Sequence, residues 1–113
     1  MSLHVFNTET HKVLMGYDRA LNGIFMTIEH GDVKVYVNSH DSDLLDTRGF
    51  ADNTSYYEQL ALNLGIKLPK EMLNEIEADK EHKIGNKLVT HYLNPYRRAQ
   101  TPQTPKAFFS TII

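Results

Sequence analysis

The residues best equipped for chemistry in this chain are its aspartates and histidines. Their densest run is "HDSDLLD", which carries His40, Asp41, Asp43 and Asp46. A hard cation such as calcium needs several oxygens converging on one point. An EF-hand loop would read D-x-[DN]-x-[DN]-G, with a glutamate at its twelfth place. Counted from Asp41, the fifth place is Leu45 and the sixth is Asp46, so the match stops after the first two ligands. Asp and Ser in such a stretch commonly bond nearby backbone amides in turns, and a solvated loop is the expectation.

Zinc would have to draw on six histidines: His4, His11, His30, His40, His82 and His91. None forms the H-x-x-x-H spacing that places two imidazoles on one helix face. His4 and His91 could meet across strands, as any two strand residues can. All six are read as structural or surface histidines, so no metal site is assigned. There is no cysteine, which removes disulfides, thiolate metal sites and cysteine nucleophiles.

Asp18 and Arg19 fall together in "GYDRALNG" between two apolar runs. An acid and a base side by side could serve a site, but more often an Asp there supports the turn and the Arg is solvated. No G-x-S-x-G elbow, G-x-x-x-x-G-K-[ST] phosphate loop or G-x-G-x-x-G turn occurs. No catalytic residue and no cofactor is assigned, and enzyme activity is disfavoured.

The sharpest feature is the end of the sequence given, "NPYRRAQTPQTPKAFFSTII". Pro95, Pro102 and Pro105 remove amide donors and bias their neighbours toward extended backbone. Phe108, Phe109, Ile112 and Ile113 follow as an apolar tip. Residues 1–93 hold nine Lys/Arg against fourteen Asp/Glu, whereas residues 94–113 hold Arg97, Arg98 and Lys106 and no acid. A basic tether on an acidic body can fold back on that body or reach another surface. The partner-binding candidates are therefore Tyr96, Arg97, Arg98, Phe108, Phe109 and Ile112.

The elements that must position these residues follow from periodicity. Leu3–Phe6 and Lys12–Tyr17 read as a first hairpin around "NTETH". "IFMTIEHGDVKVYVN" alternates strongly, with Gly31-Asp32 as a two-residue turn. In the register this turn suggests, Ile28 faces Val35, Met26 faces Val37 and Glu29 faces Lys34. That would put Ile24, Met26, Ile28, Val33, Val35 and Val37 on one face.

A long polar connection runs from Asn38 to about Ser55, pinned by Leu44, Leu45 and Phe50. Connections of this length in compact domains often carry function. Ser55 and Glu58 fit a capping box. Tyr57, Leu60, Ala61 and Leu64 then form a helical stripe that Gly65 stops. Pro69 opens a second helix with Met72, Leu73 and Ile76 on its apolar face, ended by Gly85-Asn86. "KLVTHYL" returns to strand character.

The order is β-β-β-β-α-α-β. It predicts an α+β domain over residues 1–93: a mainly antiparallel sheet of about five strands with two helices packed on one face. Residues 94–113 are expected to form an extended C-terminal arm. The 41% hydrophobic and 23% charged composition suits an ordinary globular domain. No apolar run approaches the roughly 18–20 residues that would cross a bilayer. The start, "MSLHVFNTETHK", lacks a basic, then apolar, leader pattern. A cytoplasmic location and no membrane contact are expected.

The expected function is non-enzymatic protein binding or regulation, with the arm docking on a second copy of the chain, as in a homodimer, or on another protein. The alternative is a small-molecule site or enzyme around the 38–55 loop. Nucleic acid is disfavoured, because phosphate affinity needs several cations and the body is acidic.

Overall fold

The computed structural model describes residues 1–92. Strands β1 (Ser2–Asn7), β2 (Lys12–Asp18), β3 (Gly23–His30) and β4 (Val33–Val37) come first. Helices α1 (Thr54–Asn63) and α2 (Lys70–Glu81) follow, then strand β5 (Lys87–His91). The sheet runs β4-β3-β2-β1-β5. Its first three neighbouring pairs are antiparallel, and β5 lies parallel to β1 at the far edge. The architecture is α+β with a mostly antiparallel sheet. Among the described residues no helix is long and apolar enough to cross a membrane.

Period-two alternation sorts the strand residues between the two faces. One face carries Phe6, Val13, Met15, Tyr17, Ile24, Met26 and Ile28, all buried. Helix α2 lies across β1, β2 and β3 and contributes Met72, Leu73 and Ile76, while α1 contributes Tyr57 and Ala61. Both helices end in Schellman motifs, which satisfy carbonyls that the last turn leaves open. In α1 the left-handed residue is Gly65 (φ 82°), and Ile66 N–H reaches Ala61 O at 2.8 Å.

In α2 the left-handed residue is Lys83 (φ 51°), and Ile84 N–H reaches Asp79 O at 2.9 Å. The helix therefore stops at Glu81, ahead of the Gly85-Asn86 stop expected from sequence. A lysine has taken the strained position that glycine usually fills. The start of α1 also differs. Asn53 is the N-cap, accepting from Ser55 N–H at 3.0 Å, so the helix begins before the predicted capping box. Glu77 of α2 accepts from both Thr54 N and Thr54 Oγ1, at 2.6 and 2.9 Å. It ties the two helices together with an anion at the N-terminal end of α1, where the helix dipole favours it.

The β3–β4 hairpin keeps the expected register only beside its turn, where Glu29 faces Lys34 and His30 faces Val33. Past an irregularity between Ile28 and Glu29, Ile28 faces Tyr36 and Thr27 faces Val37. One extra residue in a strand reverses its in–out pattern. Tyr36 therefore packs against the core while Val33 and Val35 stand exposed, correcting the predicted valine face. The reason lies in the tyrosine: its ring meets Tyr57 edge-on at 6.3 Å and its hydroxyl donates to Asp41 Oδ2 at 2.8 Å. The valines offer no such polar partner.

The 38–55 connection is ordered into two 3-10 turns, Asn38–His40 and Ser42–Thr47. Leu44 is buried, but Leu45 is 72% exposed and does not pin the loop. Asn38 does so instead. Its side chain accepts from Met26 N at 3.2 Å and donates to Gly49 O at 2.6 Å.

Candidate functional site

Three elements bring buried polar side chains together at the β1/β5 edge. On β1, His4 shares the core-facing side with Ser2 and Phe6, and all three are buried. On β5, Lys87 pairs with Ser2 and His91 with Phe6, so Lys87, Val89 and His91 lie on that same side. From above, α2 presents Glu75 and Asp79, one turn apart on one flank of the helix.

His4 is fully buried, and both its ring nitrogens are engaged. Nε2 lies 2.7 Å from Asp79 Oδ2 and Nδ1 lies 2.9 Å from His91 Nε2. A carboxylate only accepts, so His4 carries a proton on Nε2 and donates it to Asp79. Lys87 Nζ donates to the other carboxylate oxygen of Asp79 at 2.7 Å and approaches Glu75 Oε1 at 3.8 Å. The two rings stack, with centroids 5.1 Å apart and 21° between planes.

The electrostatics follow from this packing. Burial alone would raise the Asp79 carboxyl, but hydrogen bonds from Lys87, His4 and Ser2 outweigh it and hold the group below its usual range. Burial, together with the charge of Lys87, pushes His91 down to about 4, so its imidazole is uncharged at neutral pH. Burial raises the Glu75 carboxyl against the pull of Lys87. Imidazole nitrogens beside carboxylates are the donor set that borderline metal ions take. His4, Glu75 and His91 each offer a ligand atom, all within 4.8 Å of one another.

The spacing of these residues carried one readable signal. Asp79 falls three positions after Ile76 and seven after Met72, on the apolar stripe of its own helix. An acid on a buried stripe needs a partner.

The residues singled out from sequence go elsewhere. Asp41 is not an open carboxylate: Tyr56 and Tyr36 hydroxyls donate to its Oδ2 at 2.7 and 2.8 Å, and Asp43 N–H donates to its Oδ1 at 2.9 Å. Burial pushes the Asp41 carboxyl up, yet these bonds outweigh it and hold it low. In return Tyr56 is pushed up to about 12 by its bond to Asp41. Burial, reinforced by Asp41, raises Tyr36 further still.

His40, Asp43 and Asp46 are exposed. Asp18 Oδ1 accepts from Leu21 N–H at 3.2 Å, a turn bond. Arg19 is exposed. His11 and His30 face each other across the β2–β3 end, 4.8 Å between ring centroids. Tyr96, Arg97, Arg98, Phe108, Phe109 and Ile112 lie outside the described residues.

A second surface is the sheet face opposite the helices. Register places Leu3 beside Leu88, Val5 beside Leu14, Leu14 beside Thr27, and Phe25 beside Gly16. Leu3, Val5, Leu14 and Phe25 are half-buried and Leu88 is 70% exposed. No helix among the described residues covers this face.

Fold and site together define a small α+β domain with a histidine–carboxylate cluster on one side of its sheet and, on the other, an apolar face that no helix among the described residues covers. No family model matches the chain, and neither the curated proteins nor the solved structures contain a match.

Proposed function

We propose that the domain is a small non-enzymatic binding module. Its binding surface is the uncovered sheet face, and the occupant of that face is the apolar tip, residues 107–113, of a second copy of the chain. The carrying observation is that this face presents Leu3, Val5, Leu14, Phe25 and Leu88 with no helix over them among the described residues. Contiguous apolar surface of this kind on a small domain marks an interaction site.

The chemistry of the tip agrees with that of the face. Phe108, Phe109, Ile112 and Ile113 bring bulk and no charge. Arg97, Arg98 and Lys106 precede them, and the preceding 93 residues carry an excess of acid, so the tether is drawn to the body it must cross. The chain reaches the sheet at β5, the strand that carries Leu88. Exchange of an arm between identical copies gives a closed, symmetric dimer without a dedicated partner. A cytoplasmic location belongs to the same reading.

Light scattering on the full chain tests this. Leu88→Lys and the double substitution Phe108→Asp, Phe109→Asp are each expected to convert a dimer to a monomer, and the melting point of the unsubstituted chain should rise with concentration. A monomeric chain whose melting point falls in the tip variant would place the arm on its own sheet and remove self-association. Variants that change neither mass nor melting would remove the sheet-face reading altogether.

A further inference from the structure

We propose that His4 Nδ1, His91 Nε2 and a carboxylate oxygen of Glu75 form a site for one divalent transition-metal ion of the zinc class, which clips α2 to the paired strands β1 and β5. The argument is independent of the sheet-face reading, which uses the opposite side of the sheet.

The donor set is the first ground. Two imidazole nitrogens and one carboxylate make up a common three-ligand zinc arrangement, with a fourth place left for water. Each of the three residues offers a ligand atom, and these atoms lie within 4.8 Å of one another. They come from three elements, so an ion there would join parts of the chain up to 87 positions apart.

Orientation is the second ground. Histidines that ligate metals usually donate their other ring N–H to a carboxylate or carbonyl, which fixes the tautomer and leaves the ligating nitrogen bare. His4 has this arrangement: Nε2 donates to Asp79 Oδ2 at 2.7 Å, so Nδ1 presents a lone pair toward His91. Asp79 is itself held by Lys87 through its other oxygen. Asp79 is thus a positioning residue rather than a ligand.

Geometry and charge set the terms of entry. Two nitrogens on a tetrahedral zinc at about 2.05 Å stand about 3.3 Å apart. The observed separation is 2.9 Å, so the rings must part by about 0.4 Å, with the ion replacing the hydrogen bond between them and the proton that His91 Nε2 donates in it moving to His91 Nδ1. Glu75 and Asp79 against the single ammonium of Lys87 leave one negative charge to meet the dication. The Glu75 side chain is 39% exposed, which gives the ion an approach past α2. His4 and His91 are buried at 0% and 8% exposure, so the arrangement suits an ion that braces the fold.

Titration calorimetry and thermal melting of the full chain with zinc chloride, and the visible spectrum with cobalt(II), test the site. The expected result is one ion per chain with micromolar or tighter affinity, a melting point that rises with zinc, and the intense visible bands of tetrahedral cobalt. Glu75→Gln keeps size and helix propensity and should weaken zinc at least tenfold. Asp79→Asn should also weaken it, while His11→Ala and Asp43→Ala should leave it unchanged. No binding at millimolar zinc to the folded chain overturns the proposal. So does binding that survives Glu75→Gln but is lost in His11→Ala, since the ion would then sit on the His11–His30 pair.

Discussion

His4 Nε2 and Asp79 Oδ2 meet at 2.7 Å in the buried layer between β1 and α2, although 75 positions separate the residues in the chain. This contact, with the Lys87 bond on the other oxygen, gives a buried acid two charge-bearing or donating partners. Removing one member of such a pair leaves the others desolvated and unmatched.

Asp79→Ala should therefore destabilise the domain by about 3 kcal/mol, toward the lower end for a broken buried pair because Lys87 keeps some solvent contact. Urea denaturation measures it. A loss below about 1 kcal/mol, the worth of an exposed pair, would show that the contact does not hold α2 on the sheet.

The Asp41 cluster makes a prediction about acid. Hydrogen bonds from Tyr56 and Tyr36 hold the Asp41 carboxyl below its ordinary value, outweighing burial. On acidification the unfolded chain takes up this proton first. The contribution of Asp41 to stability is thus complete above the unfolded value of about 3.9 and is lost as pH falls through the lower folded value. The double substitution Tyr36→Phe, Tyr56→Phe should flatten the stability–pH profile below about pH 4. An unchanged slope there would mean that the hydroxyls do not hold the carboxylate.

At the β3–β4 turn, Gly31 has φ 63°, and an added Cβ would meet nothing within 4 Å. Gly31→Val would thus cost only the strain of a β-branched residue in left-handed backbone, about 1 kcal/mol or somewhat more. Equal denaturation midpoints for the two chains would contradict the turn.

Gly16 on β2 is constrained by space instead. A Cβ there would run into the carbonyl oxygen of Ser2 and come within 3.1 Å of Phe25 Cζ. Backbone cannot yield as a flexible side chain can, so Gly16→Ala should destabilise more than Gly31→Val, by about 2 kcal/mol. Amide exchange should quicken first along β1. A neutral Gly16→Ala would show that β1 has room to move away from β2.

Much of the fold was legible because local chemistry and the burial pattern agree. Alternation in Gly23–His30 and the helical stripe through Met72, Leu73 and Ile76 specify element type without reference to distant residues. Gly65 and Pro69 mark the helix boundaries by backbone geometry alone. Where the reading failed, a side chain had found a partner that sequence spacing does not reveal. Tyr36 reverses the inward pattern of β4 because Asp41 and Tyr57 are there to receive it. Lys83 ends α2 in a conformation that its own side chain does not favour.

The amino-acid sequence by itself determined the order of strands and helices, the core-facing residues of β1, β2, β3 and α2, and the absence of thiol chemistry, because these depend on side-chain type and short-range periodicity. The tertiary structure alone decided that β5 lies parallel beside β1. That pairing brings buried His4, Asp79 and His91 together with half-buried Glu75 and Lys87 in one cluster. It rests on packing between segments far apart in the chain, and no spacing rule connects residue 4 with residues 79 and 91.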